Sequence, residues 1–147
     1  MVEEDIYRCG VPNELNFPFL EKLRLKSIIY LSSDEPTLKL QLNISIHHLG
    51  KALVNSSEPL TEEVVIDALH ILLQSSNHPV LLMCQMGRHR SGTIVGCLRK
   101  LQKWNLTSIF EEYRRYSGSK VRMLNEQFIE LFDTDLVRVP NTPPAWL

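Results

Sequence analysis

The residues best suited to chemistry stand together in Val80-Leu-Leu-Met-Cys-Gln-Met-Gly-Arg-His-Arg-Ser-Gly-Thr93, where Cys84 and Arg90 are separated by five residues and Ser91 follows. That spacing suits a loop that holds a tetrahedral anion. A Cys84 thiolate would lie at the base of a tight turn, with the backbone N–H groups of Gln85, Met86, Gly87, Arg88, His89 and Arg90 converging above it. Gly87 permits the positive φ such a turn demands. A helix predicted to begin near Gly92 would turn its positive end toward both the anion and an ionised sulfur. Arg90 would then close over the anion with a two-pronged hydrogen bond that lysine cannot reproduce.

Other readings of the same residues are weaker. A cysteine that ends a strand is often only a small buried hydrophobe, but two arginines are poor occupants of an ordinary strand-to-helix turn, and Gly87 supplies the backbone freedom that an anion-binding loop needs. A zinc site built on Cys84 and His89 lacks a second Cys or His pair at ligand spacing. A rhodanese-type sulfur-transfer loop would want its arginine one place earlier, at His89, so Arg90 argues for phosphate.

The elements around the loop read as α/β. Ile6 to Arg8 is a first extended piece, followed by a turn at Gly10 to Pro12. Asn16 to Leu23 has an N-cap residue, an early proline and helical apolar spacing. Ser27 to Leu31 reads as a buried strand and Asn43 to His48 as a half-exposed one. Residues 61 to 74 place Val64, Val65, Ala68, Leu69 and Leu72 on one helical face, behind Thr61 and two glutamates. Val80 to Met83 is the strand that carries the loop. Helices are predicted at Gly92 to Trp104, at Ser108 to Tyr116 with a capping box from Ser108 to Glu111, and at Leu124 to Phe132. This order predicts a mainly parallel sheet flanked by helices.

Composition bounds the class. The chain has 147 residues, 44% of them hydrophobic, enough for one ordinary core. A net charge of −1 gives no global field for nucleic acid or for an anionic membrane. Cys9, Cys84 and Cys97 form no disulfide framework, and the reducing cytosol is the expected compartment. We expect a folded domain over residues 1–135 and a Pro-rich surface tail over 136–147.

Several runs resemble a known family: Ile6 to Pro12, Leu15 to Leu23, Asn77 to Val80, Gly96 to Trp104 and Leu106 to Tyr113. They look like the plant and fungal atypical dual-specificity phosphatases, and most like the fungal oxidant-induced cell-cycle-arrest group of tyrosine-phosphatase-like proteins. The likeness spans residues 5 to 133. It implies a compact cysteine-dependent phosphatase fold, with no cofactor and no metal, acting on a phosphorylated small molecule or a phosphoprotein. Related phosphatase-like subunits are the implied partners. In the implied reaction Cys84 attacks phosphorus, Arg90 and the loop amides hold the equatorial oxygens, and water hydrolyses the phosphocysteine. Ser91 would donate to the departing thiolate, or simply cap a helix.

Departures from the family pattern fall on the chemistry. Active members place a histidine before the nucleophile, where this chain has Met83. Members that act on highly phosphorylated inositols are often basic at the two places where this chain has Gln85 and Met86. Lys120 and Arg122 match a family basic pair, as substrate-binding residues or as solvated charges. The family's acidic loop residue falls on Glu62, a candidate general acid one methylene longer than aspartate, or else a first-turn glutamate that favours the helix dipole. Two functions therefore stand: a weak cysteine phosphatase for phosphotyrosine-like or inositol (pyro)phosphate substrates, and a pseudophosphatase that binds phosphate or scaffolds partners. Cys9 and Cys97 are either partners that protect Cys84 from over-oxidation by forming a disulfide with it or plain core residues.

Overall fold

The computed structural model describes residues 1–34, 44–52, 60–85, 87–118 and 121–147. Strands β1 (Ile6–Cys9), β2 (Ser27–Tyr30), β3 (Ser45–His48) and β4 (Val80–Met83) form one sheet in the order β1-β4-β2-β3. Every neighbouring pair is parallel. Parallel neighbours need crossovers: α1 (Phe17–Lys22) lies between β1 and β2, and α2 (Glu62–Leu73) between β3 and β4. Helices α3 (His89–Leu101), α4 (Leu106–Ser117) and α5 (Met123–Leu131) follow. This is the expected α/β arrangement. Strand β4 sits between β1 and β2 and is buried along its whole length, as its unbroken apolar run requires.

The two-residue period of the strands sorts their side chains between two cores. Ile6, Val80, Leu82 and Cys84 join residues of α2, α3, α4 and α5 in the larger core. Tyr7, Cys9, Leu81 and Met83 pack on the other face with Leu20 of α1, Leu25, Ile28 and Tyr30. Residues 83 and 84 are thus chain neighbours that serve opposite sides of the sheet.

Helix boundaries depart from expectation where a local hydrogen bond decides them. Helix α3 starts at His89 rather than Gly92, so Arg90 and Ser91 lie within its first turn. It ends before Trp104 because Lys103 adopts φ 65°, with its N–H bonded to Lys100 and that of Trp104 to Arg99, a Schellman stop. Helix α4 is capped by Asn105, whose side chain accepts the N–H of Ser108 at 2.8 Å, in place of the expected cap at Ser108. Asn16 does not cap α1. It belongs to a short 3-10 turn, Glu14–Asn16, capped by Asn13.

The C-terminal segment is exposed around Asn141 but does not stay on the surface as an extended tail. Val137 enters the main core, the N–H of Arg138 donates to His70 Nε2 at 3.0 Å, and the Trp146 ring stacks on His78 at 6.3 Å. Burial of apolar Trp146 and Leu147 against the core draws the end inward. No helix among the described residues is long and apolar enough to cross a membrane.

Candidate active site

The sheet delivers Cys84 at the C-terminal end of a central strand, the usual position for a ligand site in a parallel sheet. Its N–H donates to the Cys9 carbonyl at 3.3 Å, and its own carbonyl accepts the N–H of Gly87 at 3.3 Å, which closes the turn. The N–H of Val11 donates to the Gln85 carbonyl at 3.3 Å, so the loop lies directly on the end of β1. Gly87 has φ 68°, and a Cβ there would stand 2.6 Å from the Gly10 nitrogen and 2.7 Å from the Cys9 carbonyl carbon. Conformation and space both demand glycine.

Two side chains of the first turn of α3 complete the floor. Ser91 Oγ donates to Cys84 Sγ at 3.1 Å in a buried contact. Arg90 is buried and donates from Nη1 to the Leu31 carbonyl at the end of β2. Burial lowers the pKa of its guanidinium, the charge of Cys84 raises it, and that of Arg122 lowers it, so both groups lie within electrostatic reach. The N-cap residue Arg88 makes no side-chain cap bond, and the internal ladder of α3 begins with the N–H of Gly92 bonded to the Arg88 carbonyl. Its first-turn amides are the donors that a helix start offers an anion.

The other sequence candidates are spread around this centre. His89 Nδ1 pairs with the Tyr113 hydroxyl at 3.3 Å, and Asn125 Nδ2 donates to the same hydroxyl at 3.0 Å. Burial raises the pKa of Tyr113, while hydrogen bonds from Asn125 and from the Arg122 main chain pull it down. Arg88 and Arg122 are half-buried and Gln85 is exposed. Glu62 is exposed at the first position of α2 and lines a cleft with Leu124, Gln127, Phe128, Leu131 and Phe132. Met86 and Lys120 lie outside the described residues.

Comparison with known proteins agrees with this fold. A family model described as "Tyrosine phosphatase family" matches residues 1–146. The chain belongs to that family. It is 58% identical over 144 residues to OCA1 of Mycosarcoma maydis, covering 93% of this chain and 91% of that protein. It is 42% identical over 139 residues to inositol diphosphatase DSP4 of Arabidopsis thaliana, covering 90% and 70%. Among solved structures, the core catalytic domain of PP-IP phosphatase SIW14 from S. cerevisiae superposes with a TM-score of 0.84 at 40% identity, covering 92% of this chain and 85% of that one.

Within this tyrosine phosphatase fold, Met83 is fully buried on the far side of the sheet from Cys84. Cys97 is a core residue whose thiol burial pushes up. Cys9 packs on the face opposite Cys84, and burial together with the charge of Cys84 pushes its thiol up to about 11. One residue at the centre escaped the sequence reading. Arg8 of β1 donates from Nη2 to the carbonyls of Gly87 at 2.8 Å and Arg88 at 3.3 Å, and its guanidinium lies 4.3 Å from the centre of the Tyr116 ring. The available signal was its place: a charge two positions after Ile6, on the side of the strand that turns to the core. Tyr113 and Asn125 were missed too, since their meeting depends on how α4 and α5 pack.

Proposed function

We infer that this member of the tyrosine phosphatase family hydrolyses phosphate esters by a two-step reaction on Cys84, with inositol pyrophosphates as the favoured substrates and phosphotyrosine-like esters as the other class. The observation that carries this reading is the short contact from Ser91 Oγ to Cys84 Sγ beneath the first turn of α3, beside buried Arg90. In the first step Cys84 Sγ attacks phosphorus, the bond to the leaving oxygen breaks, and that oxygen takes up a proton. Arg90 and the amides of the loop stabilise the charge on the three equatorial oxygens. Ser91 stabilises the thiolate when water cleaves the S–P bond and releases inorganic phosphate. Arg122, whose charge reaches Arg90, contributes positive charge near the loop; the family resemblance adds Lys120 as its basic partner and makes Glu62 the candidate proton donor.

The preference for inositol pyrophosphates draws on what the similar proteins are called, an inositol diphosphatase and a PP-IP phosphatase. Association with related phosphatase-like subunits and a cytosolic setting belong to the same reading. Met83 favours a second reading, a phosphate-binding pseudophosphatase, because the resemblance implies histidine there. Burst-phase and steady-state assays of the purified chain on an aryl phosphate and on an inositol pyrophosphate, beside Cys84→Ser, separate the two. Turnover that Cys84→Ser abolishes supports the enzyme; phosphate binding without turnover supports the pseudophosphatase.

A further inference from the structure

We propose that Arg8 is a positioning residue for the phosphate loop, fixing its peptide planes from below and standing as a positive charge on the Cys84 side of the sheet. This rests on the reading of Cys84 as the nucleophile. The geometry begins with the strand period. Residues 6, 8, 82 and 84 share a face, whereas 83 belongs to the other, so position 8 is where β1 can reach beneath the loop. From there one guanidinium nitrogen holds two successive carbonyls, those of Gly87 and Arg88. A trans peptide points its N–H opposite to its C=O. Pinning those two carbonyls downward therefore turns the N–H groups of Arg88 and His89 away from Arg8, to the side where an anion would lie.

The surroundings are fitted to this guanidinium. The Tyr116 ring lies against it, and Gly92 packs nearby: a Cβ there would be in ordinary contact with Arg8 Nη2 at 3.4 Å, the tighter approach being to the Tyr113 ring at 3.0 Å. Burying the charge is costly. Its buried Nε has no hydrogen-bond partner among the described residues, and burial lowers its pKa. The largest opposing influence is the charge of Cys84, followed by Tyr116 and Glu112, with Arg99 acting the other way. Around Cys84 itself stand Arg8 and Cys9 from β1 and Arg90 from α3. A cation kept half-buried at this cost is best stabilised by negative charge on the loop, the thiolate or a bound phosphate. The position that the family resemblance assigns to histidine is apolar here, so Arg8 is the described cation beneath the loop from the β1 side.

The test uses the full chain with Arg8→Lys, which keeps the charge but loses the planar fork, and Arg8→Met, which loses both. Orthovanadate affinity, thermal stability and the pH profile of Cys84 alkylation by iodoacetamide are measured on each. We expect vanadate affinity to fall about ten- to a hundredfold in both variants, as loss of charge-assisted hydrogen bonds implies. The alkylation midpoint should move to higher pH in Arg8→Met and stay near wild type in Arg8→Lys. Folded variants whose vanadate affinity stays within about twofold of wild type overturn the proposal. If Arg8→Met does not fold, Arg8→Lys alone decides: its affinity loss supports the role and its retained affinity refutes it. A wild-type chain that binds no vanadate would instead contradict the reading of the loop on which this role rests.

Discussion

The loop at the end of β4 and the start of α2 are built unequally. Around Cys84, backbone bonds to Cys9 and Gly87, the hydroxyl of Ser91 and the side chains of Arg8 and Arg90 gather at the loop, all of them buried or half-buried. Around Glu62 there is a helix start capped by Thr61, whose side chain accepts the N–H of Val64 at 3.3 Å, and an exposed carboxylate beside an apolar cleft. On the proposed reading, the fold therefore holds the groups assigned to anion binding and nucleophilic attack far more tightly than the one assigned to proton delivery. In a site of this kind, changes at the loop should be severe and changes at Glu62 should depend on the substrate.

The largest effect should come from Cys84→Ser. Turnover should fall by on the order of 10⁴ or more, because no phosphocysteine forms, while calorimetry shows phosphate binding largely retained. Arg90→Lys comes next. Losing the two-pronged contact should weaken vanadate binding and kcat/KM by roughly 10² to 10³, and equal affinity in calorimetry would remove Arg90 from the anion site. Gly87→Ala should cost about 1–3 kcal/mol of stability, since its Cβ meets the backbone at Cys9 and Gly10, and denaturant unfolding reads this directly. Smallest is Glu62→Gln. It should leave thermal stability nearly unchanged and slow substrates with poor leaving groups several times more than those with good ones. Equal slowing of both, or none, would reduce Glu62 to its influence on the helix dipole and sharpen the contrast between the two regions.

The sequence was most legible where chemistry is local. The loop from Cys84 to Ser91 is contiguous, the four apolar residues of β4 announce a central buried strand, and the residues of α2 repeat at helical spacing. Ends were harder, because Asn105 and Ser108, or Asn13 and Asn16, compete to cap with similar side chains. The support beneath the loop was not legible from spacing at all. Arg8 and Gly87 are 79 positions apart, and His89, Tyr113 and Asn125 meet only once α3, α4 and α5 have packed. The C-terminal segment misled for the opposite reason: its prolines suggested an extended surface run, but Trp146 and Leu147 had apolar surface to bury.

The central claim, covalent catalysis by Cys84, is tested most directly by rapid acid quench of the wild-type chain with an aryl phosphate, followed by mass spectrometry of the Cys84 peptide. The account predicts a burst of the aryl alcohol that approaches one equivalent per chain and a phosphoryl group on Cys84, both absent in Cys84→Ser. A chain that binds vanadate but shows neither burst nor adduct would contradict it and establish a phosphate-binding fold without turnover.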